Sequence, residues 1–182
     1  MSATIAKSKT STNNESTEGK KQLWNIDTLT HMQANIDDAT PELMAHAIEL
    51  LLKDGALDAW INPIIMKKGR PAYSLHCLCR CDNDNTAEHR LLNIMFRHTT
   101  TLGIRIQRNI LRAALQRRFV KVQTPFSTKR IDVKISSLNN GEVVSVKAEF
   151  DQCKLVSEES CIPLKTVSSA AERIAYDNHI TH

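Results

Sequence analysis

At 182 residues the chain has room for one or two small domains. Aliphatic residues are plentiful and aromatic ones few, so any core is built from Leu, Ile, Val and Met; a net charge of +4 is too mild to call for nucleic acid by itself. No apolar run approaches the ~20 residues a membrane span needs. The first 20 residues carry neither a secretory apolar core nor the Arg-rich, acid-free character of a transit peptide, and five cysteines without a signal fit reduced thiols and a cytoplasmic setting.

Residues 1–28 begin with Ser, Thr, Asn, Lys and Glu, which bury too little apolar surface to offset ordering, and are expected to form a disordered tail. From residue 29 the pattern becomes regular. A strand is expected over 29–36. Thr40 then caps a helix over 41–54, with Pro41 at its first position, apolar Leu43, Met44, Ala47, Ile48, Leu51 and Leu52 on one face, and Gly55 as its stop. Two further strands, 56–66 and 73–81, flank the turn Lys67-Lys68-Gly69-Arg70-Pro71 as a hairpin. Residues 82–85 read as a polar loop. Asn85 and Glu88 resemble a capping box before a helix carrying Leu91, Leu92, Met95 and Phe96. A strand begins near Ile104. The order β-α-β-β-α-β is that of a ferredoxin-like domain, assigned to 29–115. Residues 116–182 then form a small α+β module: a hairpin around Pro125, a third strand after the Asn139-Asn140-Gly141 turn, and a helix interrupted at Ile162-Pro163. The fold class is therefore α+β.

Three stretches invite chemistry. Asp37, Asp38 and Glu42 crowd a strand–helix junction. Acids there complement the helix dipole, which accounts for Glu42 better than for Asp37; alternatively the oxygens gather around Mg²⁺ or Mn²⁺ beside a phosphate. Lys67, Lys68 and Arg70 on a glycine turn suit a polyphosphate, or form a solvated basic turn. Thr99, Thr100 and Thr101 before Gly103 and Arg105 either wrap an anion or simply connect helix to strand.

Two further patterns favour structure over chemistry. Cys77, Cys79 and Cys81 share one face of a strand, where thiolates hold zinc or nickel, but small buried thiols also pack as core, and no C-x-x-C spacing is present. The basic run Arg105, Arg108, Arg112, Arg117, Arg118 and Lys121 would suit RNA, yet the strands lack the aromatic stacking positions of the RNA-recognition module. No glycine-rich nucleotide loop of standard spacing occurs.

Six blocks, in order, carry a resemblance: Asn35-Ile36-Asp37-Asp38-Ala39-Thr40-Pro41-Glu42, Asp54-Gly55-Ala56-Leu57-Asp58, 63–71, 99–105, 122–126 and 149–153. Over roughly residues 29–172 the chain resembles the C-terminal domain of the nickel-inserting cyclometallase family of the nickel-pincer nucleotide pathway. The resemblance implies an enzyme, a lyase, that inserts Ni²⁺ into pyridinium-3,5-bisthiocarboxylic acid mononucleotide to form a carbon–nickel bond. It implies consumption of CTP with Mn²⁺ or Mg²⁺, release of CMP and pyrophosphate, and assembly into homo-oligomers. On that reading Asp37, Asp38 and Glu42 hold the divalent cation, with Glu149 reaching the same cleft from the second module. Lys67, Lys68 and Arg70 clamp the triphosphate, and Thr99, Thr100, Thr101 and Arg105 complete the cradle.

The chain departs from the family's usual pattern at Gln33 and His98, where Glu is common, at Ala72, usually Gly, at Ala148, usually Pro, and at Gln152, commonly an acid. His98 in that place is a divergent metal-ligand candidate. The family's His-rich N-terminal half has no counterpart here, so the chain is expected to work with a separate nickel-binding subunit. The alternative function is a non-catalytic nucleotide-sensing or oligomerisation module.

Overall fold

The computed structural model describes residues 22–81 and 84–180. The polar stretch expected to form a tail falls outside them as far as residue 21, as do residues 82 and 83 of the expected loop. The first unit runs β1 (Asn25–Ile36), α1 (Pro41–Lys53), β2 (Asp58–Met66), β3 (Arg70–Arg80), α2 (Thr86–His98) and β4 (Arg105–Ala114). Its strands lie in the order β2-β3-β1-β4 with every neighbouring pair antiparallel, the ferredoxin-like arrangement expected from the element order. Alternation along β1 sends Met32, Ala34 and Ile36 to one face, where α1 and α2 cover them with Met44, Ala47, Leu51, Leu91 and Met95, all but closed to water. Each such large side chain contributes roughly 1.5–3 kcal/mol by leaving water. Cys77 and Cys79 belong to this core, and Cys81 is half-buried beside it. Burial, with Cys79 and Asp58 nearby, pushes the Cys77 thiol up to about 12.

Two expectations need correction. Asn25 to Thr28, assigned to the tail, are strand: they pair with Leu111 to Ala114, and the Arg112 guanidinium donates twice to Asp27, at 3.0 and 2.5 Å. A ladder and a forked ion pair, not apolar burial, order them, which is why composition missed them. The capping box at Asn85 does not form. Asn85 is left-handed (φ 53°) with no capping bond, and Glu88 turns inward, 2% exposed, to take two bonds from Arg108 at 2.8 and 2.6 Å. The strand begun at 105 runs on to Ala114, because Asn109 at φ 60° and a register shift opposite Leu29 and His31 let it continue through a bulge.

Leu115 alone separates β4 from the second unit, which holds β5 (Gln116–Gln123), β6 (Arg130–Ser137), β7 (Val143–Ala148), α3 (Phe150–Ser160) and α4 (Leu164–His179). Its antiparallel sheet, ordered β5-β6-β7, has its own core of Val122, Ile131, Val133, Val156, Val167 and Ala171. The break expected at Pro163 falls between α3 and α4. Among the described residues no helix is long and apolar enough to cross a membrane.

Candidate functional site

Antiparallel topology places the end of β1, the start of β3 and the start of β4 at one edge of the first sheet, where Ile36 pairs with Tyr73 and Gln33 with Arg105. The three stretches singled out by sequence meet there. After β1 the chain turns through Asp37 and Asp38 into α1; the Thr40 hydroxyl accepts from Leu43 N at 3.3 Å and Pro41 opens the helix. Between β2 and β3, Lys67–Gly69 form a single 3-10 turn with Lys68 and Gly69 left-handed (φ 64° and 70°), which swings Arg70 back over β1. Arg70 donates to Asp37 at 2.9 Å. This bond, with Lys67 nearby, holds the Asp37 carboxyl below the usual carboxylate range. From the α2–β4 loop, the Thr100 hydroxyl donates to Asp38.

The two carboxylates and the Thr100 hydroxyl line a cleft of about 290 Å³ walled by Asn35 to Asp38 and Thr100 to Gly103. A second, apolar cleft of about 490 Å³ has Ala39, Pro41, Ile64, Ile65, Pro71 and Tyr73 in its wall. A polar cleft and an apolar one are thus built from adjoining segments, Asp38 being followed by Ala39 and Arg70 by Pro71.

The sequence candidates do not all share this cleft. Only one of the three threonines turns to it freely. Thr99 Oγ1 donates to Met95 O (2.7 Å) and accepts from Thr101 N (3.2 Å), while the Thr101 hydroxyl, nearly buried, bonds across to Gly103 (3.0 Å). Glu42 is exposed in the first turn of α1, where its own backbone N–H and the Thr40 hydroxyl lower its pKa; this is the dipole-complementing role. Lys68 is exposed on the turn. Glu149 precedes α3, its N–H bonded to Asp132 O at 2.9 Å, and is not among the residues lining the cleft. His98 packs edge-on against His46 across the two helices, ring centroids 5.9 Å apart. Arg105 donates to Asn35 Oδ1 at 2.7 Å, at the rim.

Among the described residues no three His, Cys, Asp or Glu side chains converge to hold a metal ion. That does not disqualify Mg²⁺ or Mn²⁺. Such hard cations take one or two carboxylates and complete their shell with water and substrate phosphate, and Asp37 with Asp38 offers that oxygen set. The basic run, in contrast, is largely committed: Arg108 to Glu88, Arg112 to Asp27, Lys121 to Asp132 (3.1 Å) and Arg118 to His179 O (2.9 Å). Three of the six thus carry a carboxylate partner, which lowers the charge an RNA backbone would read.

Sequence reasoning missed a polar network on the face of the sheet opposite the helices. Gln33 donates to Ser74 (2.8 Å), Ser74 to Asn35 (3.1 Å), and His31 Nε2 lies 2.9 Å from His76 Nδ1. Its signal was present: His31, Gln33 and Asn35 alternate with the core residues of β1.

Comparison with known proteins agrees with this architecture. The family model described as nickel insertion protein matches residues 5–168. The pyridinium-3,5-bisthiocarboxylic acid mononucleotide nickel insertion protein of Akkermansia muciniphila is 40% identical over 136 residues, covering 75% of this chain and 32% of that protein. A relative from Myxococcus xanthus is 39% identical over 140 residues, covering 77% and 34%. The chain therefore spans about a third of the length of these curated relatives. Among solved structures, the apo C-terminal domain of a cyclometallase involved in the synthesis of the NPN cofactor of lactate racemase superposes with a TM-score of 0.72 at 32% identity, covering 85% of this chain and all of that domain. The chain belongs to the nickel insertion protein family.

Proposed function

We propose that this chain is the nucleotide-binding part of a nickel-inserting cyclometallase, taking CTP with Mn²⁺ or Mg²⁺ at the β1–α1, β2–β3 and α2–β4 junction. The observation that carries the reading is the convergence itself. Asp37 meets Arg70 and Asp38 meets Thr100 across 33 and 62 residues of sequence, bringing two carboxylates, a guanidinium and a loop hydroxyl together with the Lys67 charge nearby. In this reading Lys67, Lys68 and Arg70 receive the triphosphate, and the forked guanidinium grips it bidentately. Asp37 and Asp38 would hold the divalent cation, which when bound neutralises triphosphate charge. The apolar cleft beside them is placed for the nucleobase. Thr99 and Thr101 shape the loop that presents Thr100, and Arg105 stays at the rim.

The chemistry follows the family's. An acid group of the pyridinium mononucleotide attacks the α-phosphorus of CTP, the bond to pyrophosphate breaks, and the resulting acyl–CMP mixed anhydride leaves the ring carbon easier to metallate, CMP departing afterwards. Nickel is substrate in this scheme. A nickel-binding part and a homo-oligomeric assembly belong to the same proposal; the matched region is about a third of the curated relatives' length.

The test is calorimetric titration of CTP and ATP into the chain with and without Mn²⁺. Mn²⁺-dependent, CTP-selective binding that weakens at least ~10-fold in Lys67→Ala and Arg70→Ala is the expected result, by the strength of charge-assisted hydrogen bonds. Unchanged CTP affinity in both variants would remove the proposed clamp. Binding without pyrophosphate release, with substrate and partner present, would favour the nucleotide-sensing module instead.

A further inference from the structure

We propose that the helix-free face of the first sheet is a second binding site, one that takes a planar aromatic carboxylate, with Arg105 receiving the carboxylate and His31, His76 and Trp60 orienting the ring. The site adjoins the nucleotide cleft, since Arg105 bonds Asn35 in the cleft wall, but it lies on the helix-free face of the strands. The choice of a heteroaromatic acid rests on the proposed function, since such an acid is the group a nucleotide would activate.

Three observations carry the inference. First, aromatic planes are already aligned. The His31 and His76 rings lie within 7° of one plane with centroids 5.1 Å apart, and Trp60 is parallel to both, within 5° of His76 at 4.9 Å and within 3° of His31 at 5.9 Å. Three neighbouring strands hold these rings, so the orientation is fixed by sheet register (Trp60 opposite His76, and His76 opposite Gln33). A further flat ring extends such a stack at little entropic cost. Second, the face carries uncompensated positive charge. Arg70, Arg90, Arg108 and Arg112 each pair with a carboxylate, whereas among the described residues Arg105 bonds only the Asn35 amide and is exposed. Its fork therefore remains available to an oxyanion. Third, donors are directed rather than spent. Asn62 Nδ2 stands 3.4 Å from His76 Nε2; with that amide donating, His76 Nδ1 donates to His31 Nε2 and the His31 Nδ1–H is left for a ligand, a tautomer assignment that follows from the amide's orientation.

Charge balance supports the same occupant. Burial first, and the Arg105 charge after it, hold both histidines below their ordinary pKa, with His31 adding to the effect on His76. Neutral imidazoles add no repulsion against a cationic ring, and the Trp60 π-face attracts one. Arg105, which has no carboxylate partner among the described residues, is matched to a carboxylate at the ring's edge.

The test uses the full chain with Trp24→Phe, so that fluorescence reports Trp60 alone, titrated with pyridine-3,5-dicarboxylate. Inorganic phosphate serves as the anion without a ring, pyridine as the ring without an anion, and Mn²⁺ with CTP is titrated in parallel. The expected result is a saturable change with the dicarboxylate, weakened about tenfold or more by Arg105→Gln and less by Arg105→Lys. No saturable response, an equal response to phosphate, or an Arg105→Gln variant that binds the dicarboxylate as before would each overturn the proposal. Loss of CTP affinity in step with dicarboxylate affinity would return Arg105 to the triphosphate cradle and also overturn it. CTP binding without a dicarboxylate response defeats this inference alone, whereas a dicarboxylate response without CTP binding supports it and defeats the nucleotide reading.

Discussion

Replacing each of the three threonines by the near-isosteric valine should separate folding from binding. Thr99→Val removes a hydroxyl that donates to Met95 O at 2.7 Å and accepts from Thr101 N at 3.2 Å. Thr101→Val removes one that bonds the Gly103 carbonyl at 3.0 Å and accepts from Gly103 N at 3.4 Å. Two net bonds at about 0.5–1.5 kcal/mol each put either variant about 1–3 kcal/mol below the parent in stability. Thr100 is exposed and bonds only the exposed Asp38, so Thr100→Val should stay within about 0.5 kcal/mol. Its cost should appear in affinity instead, as CTP with Mn²⁺ binding about three- to tenfold more weakly. Urea unfolding followed by far-UV circular dichroism gives the first quantity and calorimetry the second. If Thr100→Val destabilised the fold as much as Thr101→Val, or if all three variants lost CTP affinity alike, the division between loop-shaping and ligand-facing hydroxyls would be wrong.

Leu51→Ala should cost about 2–5 kcal/mol, since Leu51 is fully closed to water between α1 and the sheet; a loss under 1 kcal/mol by urea unfolding would mean this core is loosely packed. Asp37 has a lowered folded-state pKa, so its contribution to stability is present above the unfolded carboxylate range and is lost as pH falls through the folded value; carbon-detected NMR titration should show Arg70→Ala moving Asp37 back up toward the ordinary range. A thiol reagent at pH 8 should label Cys161 at once and Cys77, Cys79 and Cys153 only on unfolding, and rapid labelling of Cys77 in the native protein would contradict its burial and raised pKa.

The three stretches were legible because each is marked by local chemistry. Thr40 and Pro41 write a helix start, Gly69 a left-handed turn, and Gly103 a loop, and the charged residues beside these signals are near the site whatever the tertiary fold. What each side chain does there is a tertiary fact. Nothing local distinguishes Thr100 from Thr99 and Thr101, whose hydroxyls are captured by a carbonyl one helical turn back and by the loop itself. Glu88 looked like a capping residue because the capping box is read from a three-residue interval; its partner Arg108 lies 20 residues on and wins because a forked ion pair outweighs one backbone bond. The tail was drawn too long for a related reason: the order of residues 25–28 comes from Arg112, 85 residues away from Asp27. The assignment of Glu149 to the cleft came from family resemblance alone, and its backbone is fixed by Asp132 in the other sheet.

The ion pair between Asp37 and Arg70 has a thermodynamic corollary. Each partner is the other's competitor for any ligand: a cation drawn to Asp37 must displace a guanidinium, and an anion drawn to Arg70 must displace a carboxylate. Arriving singly, either one leaves a stranded charge behind. Arriving as a pair, they exchange partners and strand nothing. If the proposed cation and triphosphate bind at this junction, the 2.9 Å pair favours their joint arrival over that of either ion alone.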